Sequence, residues 1–155
     1  MIHTPDLPML GQGFYWQELS VGQKFRTFRR TVTETDLVNF ISVSGILETI
    51  FIDATYTDGA IQGRPVPGAL TYALIEGIIL QTMAQGTGLA LLEVHKKMHA
   101  PVMVGDTIWA TLEITAVRPT SKNNRAVVSS EVIIMNQRAE PVITYTVSRM
   151  MAGKP

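Results

Sequence analysis

Between two loop segments the chain runs from Ala69 to Gln85 with hardly a polar residue, and Leu70, Ala73, Leu74, Ile75, Ile78 and Ile79 fall on every side of a helix. A helix that is apolar all round belongs inside a protein rather than on its surface. Arg64-Pro65-Val66-Pro67-Gly68 ends the preceding loop. Proline near a first helical turn costs little, because the amide it lacks would have no intrahelical partner. Gly86 and Gly88 supply the stop. At ~1.5 Å per residue such a helix is about 25 Å long. Glu76 stands in its middle, so a membrane span is not expected. The chain must therefore provide cover for a buried central helix that carries one carboxylate.

The flanking sequence offers that cover. Residues 1–13 read as an irregular arm, and Phe14-Tyr15-Trp16 as aromatics packing across a sheet or subunit edge. Residues 24–32 alternate as a first strand. Thr33-Glu34-Thr35-Asp36 has the form of a capping box with Thr33 as N-cap, and Leu37, Phe40 and Ile41 follow at helical spacing up to Ser44-Gly45. Residues 46–63 are irregular, and a long ordered loop of this kind often lines a site. After the helix, strands are expected over 91–99, 107–118, 126–135 and 142–151, the last three as an antiparallel meander. The order is strand, short helix, long loop, buried helix, four strands. The prediction is one α+β domain over 1–155 of hotdog type, an antiparallel sheet wrapped around one helix. About five strands leave the far side and ends of such a sheet open, so a homodimer or higher homo-oligomer is expected.

Composition narrows the function. Thirteen basic residues balance thirteen acidic ones, which removes the electrostatic case for nucleic-acid binding. There is no cysteine, hence no thiolate nucleophile and no zinc–thiolate site. No export signal is visible, so a cytoplasmic location and no membrane partner are expected. Charged residues make up only 17%, consistent with apolar surface covered by a partner subunit.

Several pieces together resemble the MaoC-like dehydratase and (R)-specific enoyl-CoA hydratase family over roughly 14–151. They are Leu19-x-Val21-Gly22, Arg30 to Asp36, Phe40 with Ser44-Gly45, Gly63-Arg64-Pro65 with Gly68, and His99-x-Pro101-Val102 with Gly105-Asp106-Thr107. The family signature Ser-Gly-Asp-x-Asn-Pro-aliphatic-His-x-Asp is met here by residues 44–53, from Ser44-Gly45 to Asp53. On that resemblance the family's aspartate falls on Ile46 and its histidine on Phe51. These two activate water as an acid–base pair in the hydratases, and neither Ile nor Phe moves a proton. Glu48 takes the asparagine position and Asp53 is kept. The resemblance further implies that a backbone amide around Gly68, with Ala69 beside it, holds a thioester carbonyl at the helix N-terminus. An acyl-CoA or acyl-carrier thioester is then the expected partner, with Ser44, Gly45, Ile46, Phe51, Arg64, Gly68 and Ala69 around it and no cofactor.

Three carboxylates are candidates for the chemistry. Glu76 lies nine residues after Pro67, a distance that resembles some hotdog thioesterases, and burial should raise its pKa unless it is paired. Its plainer role is a bond to backbone or to Tyr72, facing a partner subunit. Glu48 stands inside the altered signature, or is only a solvated loop residue. Asp53 reads more readily as the cap of a turn, and Arg64 as a loop brace rather than a phosphate contact. Of the histidines, His3 lies in the arm, and His95 and His99 are spaced too far apart on a strand to share a metal, so no metal site is expected. Three functions stay open: an atypical hydratase using Glu48 or Asp53, a thioesterase using Glu76, and a non-catalytic acyl-thioester binder or partner subunit.

Overall fold

In a computed structural model that describes residues 7–155, the described chain forms three α-helices, a 3-10 turn at Trp16–Glu18 and six strands, in the expected order. His3 lies outside the described residues. Strands β1 (Lys24–Arg26) and β2 (Arg30–Thr31) lead into α1 (Glu34–Ser44) and the single turn α2 (Thr49–Ile52). The central helix α3 (Gly68–Thr82) is followed by β3 (Gly88–Met98), β4 (Thr107–Pro119), β5 (Arg125–Met135) and β6 (Pro141–Ala152). The sheet runs β1-β4-β5-β6-β3, with β2 also on β4, and every pairing is antiparallel.

The sheet closes around α3 because its inward positions are apolar. On β4 these are Ile108, Ala110, Leu112 and Ile114, all buried. Val132 and Ile134 of β5 and Ile143, Tyr145 and Val147 of β6 join them, packed with Leu70, Ile75, Ile78 and Ile79 of the helix. Burying each such side chain stabilises the fold by about 1.5–3 kcal/mol. Phe14 meets Phe25 with ring centroids 5.3 Å apart, packing across the sheet edge.

Four details depart from the sequence reading, each for a local reason. The first strand is two strands, because the register slips by one residue between Arg26↔Thr111 and Arg30↔Ile108. At the slip the Thr27 hydroxyl accepts the Ala110 amide in place of a backbone carbonyl, a local bulge. Helix α3 stops at Thr82 rather than Gln85, since the Ala84 amide turns back to the Ile79 carbonyl and Gly86 adopts φ +73°. That helix is not covered all round either: Ala69, Ala73 and Leu80 form an exposed stripe. Finally β3 begins at Gly88 and is almost wholly exposed, a free edge bearing Leu89, Leu91, Leu92 and Met98.

The entry to α1 is the capping box expected. The Thr33 hydroxyl accepts from the Asp36 amide at 3.1 Å, and the Asp36 carboxylate accepts from the Thr33 amide at 2.9 Å and from Arg30 at 2.8 Å. Gly45 closes the helix at φ 74°, a left-handed conformation that favours glycine. Burial pushes the Asp36 carboxyl up, but the Thr33 amide, the Thr33 hydroxyl and Arg30 outweigh it and hold the group below its usual range. Thr33→Ala should lower stability by about 1 kcal/mol in urea titrations near neutral pH. A carboxyl with a depressed folded-state pKa contributes stability above its unfolded value of about 3.9 and loses it as pH falls. The gap between variant and wild type should therefore narrow below about pH 4.

Candidate functional site

The start of α3 is the best-defined site feature. The segment ahead of it is strapped to the 102–104 loop: the Val66 amide donates to the Val102 carbonyl at 2.8 Å and the Val104 amide to the Arg64 carbonyl at 2.9 Å. Pro65, Val66 and Pro67 are buried by this strap. Pro67 is the N-cap and its carbonyl takes the Leu70 and Thr71 amides at 2.9 and 3.3 Å. The Gly68 and Ala69 amides meet no acceptor among the described residues, and they carry the partial positive charge of a helix end. Gly68 also lies against the flexible end of Met98, which a larger residue would have to displace slightly. A Cβ there would stand 3.2 Å from the Met98 methyl and 3.3 Å from its sulfur.

A cavity of about 320 Å³ opens beside this helix end, with Phe51, Ile61, Gly68, Thr71, Met98 and Ile143 among its walls. Among the described residues no carboxylate lines it. His99 reaches it at the end of β3, but its Nε2 lies 2.8 Å from Thr144 Oγ1. Ile143 points inward, so alternation along β6 sends Thr144 to the outer face of the sheet, and the His99 ring goes with it. The cavity is apolar and neutral, with Gly68 and its free amide at one end.

The remaining candidates lie around or away from this space. Ser44 donates to the Phe40 carbonyl at 2.6 Å, and Gly45 ends α1. Ile46 is half-buried outside the cavity wall, whereas Phe51 packs on the core and forms part of that wall. Arg64 donates to Glu34 at 2.6 Å and to the Phe51 carbonyl, so its guanidinium ties the loop and α2 to α1. Ala69 is exposed on the outer stripe of α3. Glu48 is exposed as the N-cap of α2 and its side chain caps nothing. Asp53 accepts from the Thr55 hydroxyl at 2.7 Å and amide at 2.8 Å, and these hold its carboxyl below the usual range.

The MaoC like domain description matches residues 17–136, well over half of the chain. The chain belongs to the MaoC-like domain family. It is 27% identical over 109 residues to the (R)-specific enoyl-CoA hydratase of Rhodospirillum rubrum, covering 70% of this chain and 74% of that protein. It is 31% identical over 103 residues to the enzyme of the same description from Aeromonas caviae, covering 66% and 75%. Among solved structures, a Mycobacterium tuberculosis protein described as having a double hotdog fold aligns at a TM-score of 0.78 and 18% identity. The alignment covers 92% of this chain and 45% of that one. The sheet wrapped on α3 is thus a hotdog fold.

Within this MaoC-like framework Glu76 is committed elsewhere. It is buried and accepts from Arg149 at 2.7 Å and from the Tyr145 hydroxyl at 2.6 Å, all through one oxygen. Arg149 is itself 5% exposed, making a true interior ion pair. Burial first, then the Glu76 charge and hydrogen bond, push the Tyr145 phenol far above its ordinary value. Burial and the same charge raise Tyr72, whose ring meets Tyr145 edge-on at 5.1 Å. Glu76 does not line the cavity at the helix start.

The polar residue that sequence reasoning passed over is Thr71. It lies one turn after Gly68, is 1% exposed, lines the cavity, and its hydroxyl has no partner among the described residues. Its only signal in the sequence is a hydroxyl inside an otherwise apolar helical run. For the ion pair the expectation is structural. Glu76→Ala should cost about 3–5 kcal/mol in denaturant titration, because it strands the Arg149 charge, while Glu76→Leu combined with Arg149→Met should recover most of the loss.

Proposed function

We propose that this MaoC-like chain binds an acyl thioester, with the thioester carbonyl at the Gly68 end of α3 and the acyl group in the adjoining cavity. The observation that carries the reading is a neutral, apolar cavity lined at one end by Gly68, whose helix-terminal amide is free. Such a donor suits a carbonyl oxygen, and more so an oxygen gaining negative charge. Similarity to two (R)-specific enoyl-CoA hydratases supports a CoA thioester of the enoyl or hydroxyacyl class. The resemblance that sets Ile46 and Phe51 at the positions of the family's acid–base pair supports a reading in which the chain does not use the usual hydration mechanism.

A second reading is an atypical hydratase that moves the proton with Glu48. The observation favouring it is that Glu48, unlike Asp53 and Glu76, has an unengaged carboxylate, and it begins the turn whose Ile50 and Phe51 line the cavity. The thioesterase alternative needs Glu76, whose carboxylate is taken up by Arg149 and Tyr145. One experiment separates the three: crotonyl-CoA is titrated by calorimetry while enoyl absorbance and free thiol are followed. Binding with both channels silent is the expected result. Loss of absorbance that disappears in Glu48→Gln would install the hydratase, thiol release would install hydrolysis, and absence of binding would refute the acyl-thioester reading.

The same proposal includes a homodimer. The β3 edge leaves backbone groups unpaired and carries Leu89, Leu91, Leu92 and Met98, and the uncovered α3 stripe of Ala69, Ala73 and Leu80 is also apolar. Light scattering should give the mass of two chains, and Leu91→Lys should shift it toward one.

A further inference from the structure

We infer that the Thr71 hydroxyl is a ligand-binding group, a second donor to the thioester carbonyl beside the Gly68 amide. The inference rests on the acyl-thioester reading and adds to it the residue that recognises the carbonyl.

The case starts from what threonine ordinarily does in a helix. Its hydroxyl bonds back to a carbonyl three or four residues earlier. Thr82, on the same helix, does so with the Ile78 carbonyl at 2.7 Å. Thr71 does not, although the Pro67 carbonyl four residues before it is present and accepts the Thr71 amide at 3.3 Å. A buried hydroxyl left without a partner keeps its full desolvation penalty, and valine would fill the same volume without it. Thr87 is also buried without a partner, but it sits beyond the other end of α3, away from the cavity. Thr71 is the orphan that stands on the cavity wall.

Position supplies the rest. Residues three apart on a helix share a face, so Thr71 lies on the Gly68 side of α3, and both residues line the same space. The other side chains on the wall are apolar apart from His99, whose ring is held on the outer face by Thr144. An unsatisfied hydroxyl, the unsatisfied Gly68 amide and an otherwise neutral apolar wall match a ligand with one uncharged carbonyl and a hydrocarbon tail. They do not match a dicarboxylic acyl group, whose second charge would be buried without a partner.

The test compares two ligands and two variants. Crotonyl-CoA carries the carbonyl; S-butyl-CoA is a thioether of similar length without it. Thr71→Val should weaken crotonyl-CoA about five- to tenfold by calorimetry, the loss of one hydrogen bond. S-butyl-CoA should change less than twofold. Thr71→Ser should retain crotonyl-CoA affinity within about threefold. The melting temperature of ligand-free Thr71→Val should equal or exceed that of wild type, since an unsatisfied hydroxyl has been removed. Equal losses for both ligands, or no loss for either, would overturn the role of Thr71 and leave the acyl-thioester reading standing. Wild-type protein that binds neither ligand would overturn both.

Discussion

Everything at this site depends on how α3 is held. A helix end can serve as a donor site only if its first amides are fixed, desolvated and denied other acceptors. Proline at the N-cap has no amide of its own, and its carbonyl draws in the Leu70 and Thr71 amides, which leaves Gly68 and Ala69 as the open pair. The bonds between Arg64–Val66 and Val102–Val104 hold that proline in place from the sheet side. Packing of Ile75, Ile78 and Ile79 under the sheet then fixes the axis along which the end points. The sheet is thus both the cover for the helix and the far wall of its cavity, through Met98 and Ile143.

A core that holds a carboxylate has to neutralise it. Glu76 and Arg149 are mutually buried, and Tyr145 adds a second donor to the same oxygen. A buried pair of this kind is a weak source of net stability, since desolvation offsets the Coulomb attraction. It does tie the middle of α3 to one residue of β6, and a slip of the helix along the sheet would strand both charges. The residue that makes this tie, Glu76, is the one whose position in the sequence most suggested chemistry.

The sequence made the fold legible because its signals were local and redundant. The Thr33–Asp36 capping box, the alternation from Ile108 to Ile114 and the apolar run after Gly68 each specify an element within a few residues. The slip at Thr27 was not legible, because a side-chain hydroxyl standing in for a carbonyl leaves no periodic trace. Nor was the partner of Glu76: Arg149 lies 73 residues away, and only the β5–β6 meander folded back on α3 brings the two together. The same limit applied at the site. Glu48, Asp53 and Glu76 drew notice as carboxylates, while Thr71 looked like one more residue of a buried helix.

The cavity wall also bears on what a hydratase of this shape would need. Water addition to an enoyl thioester requires a group that takes a proton from water and one that returns a proton to carbon. Phe51 gives the wall beside the free amides an apolar ring and no proton. Glu48 sits in solvent at the start of α2, where its carboxylate keeps its hydration and its reach to the cavity runs past Ile50 and Phe51. Apolar walls of this kind strengthen each hydrogen bond made to a carbonyl, since competing water is excluded. The residues lining this space supply apolar contact and, apart from Thr71 and His99, no side chain with a proton to move.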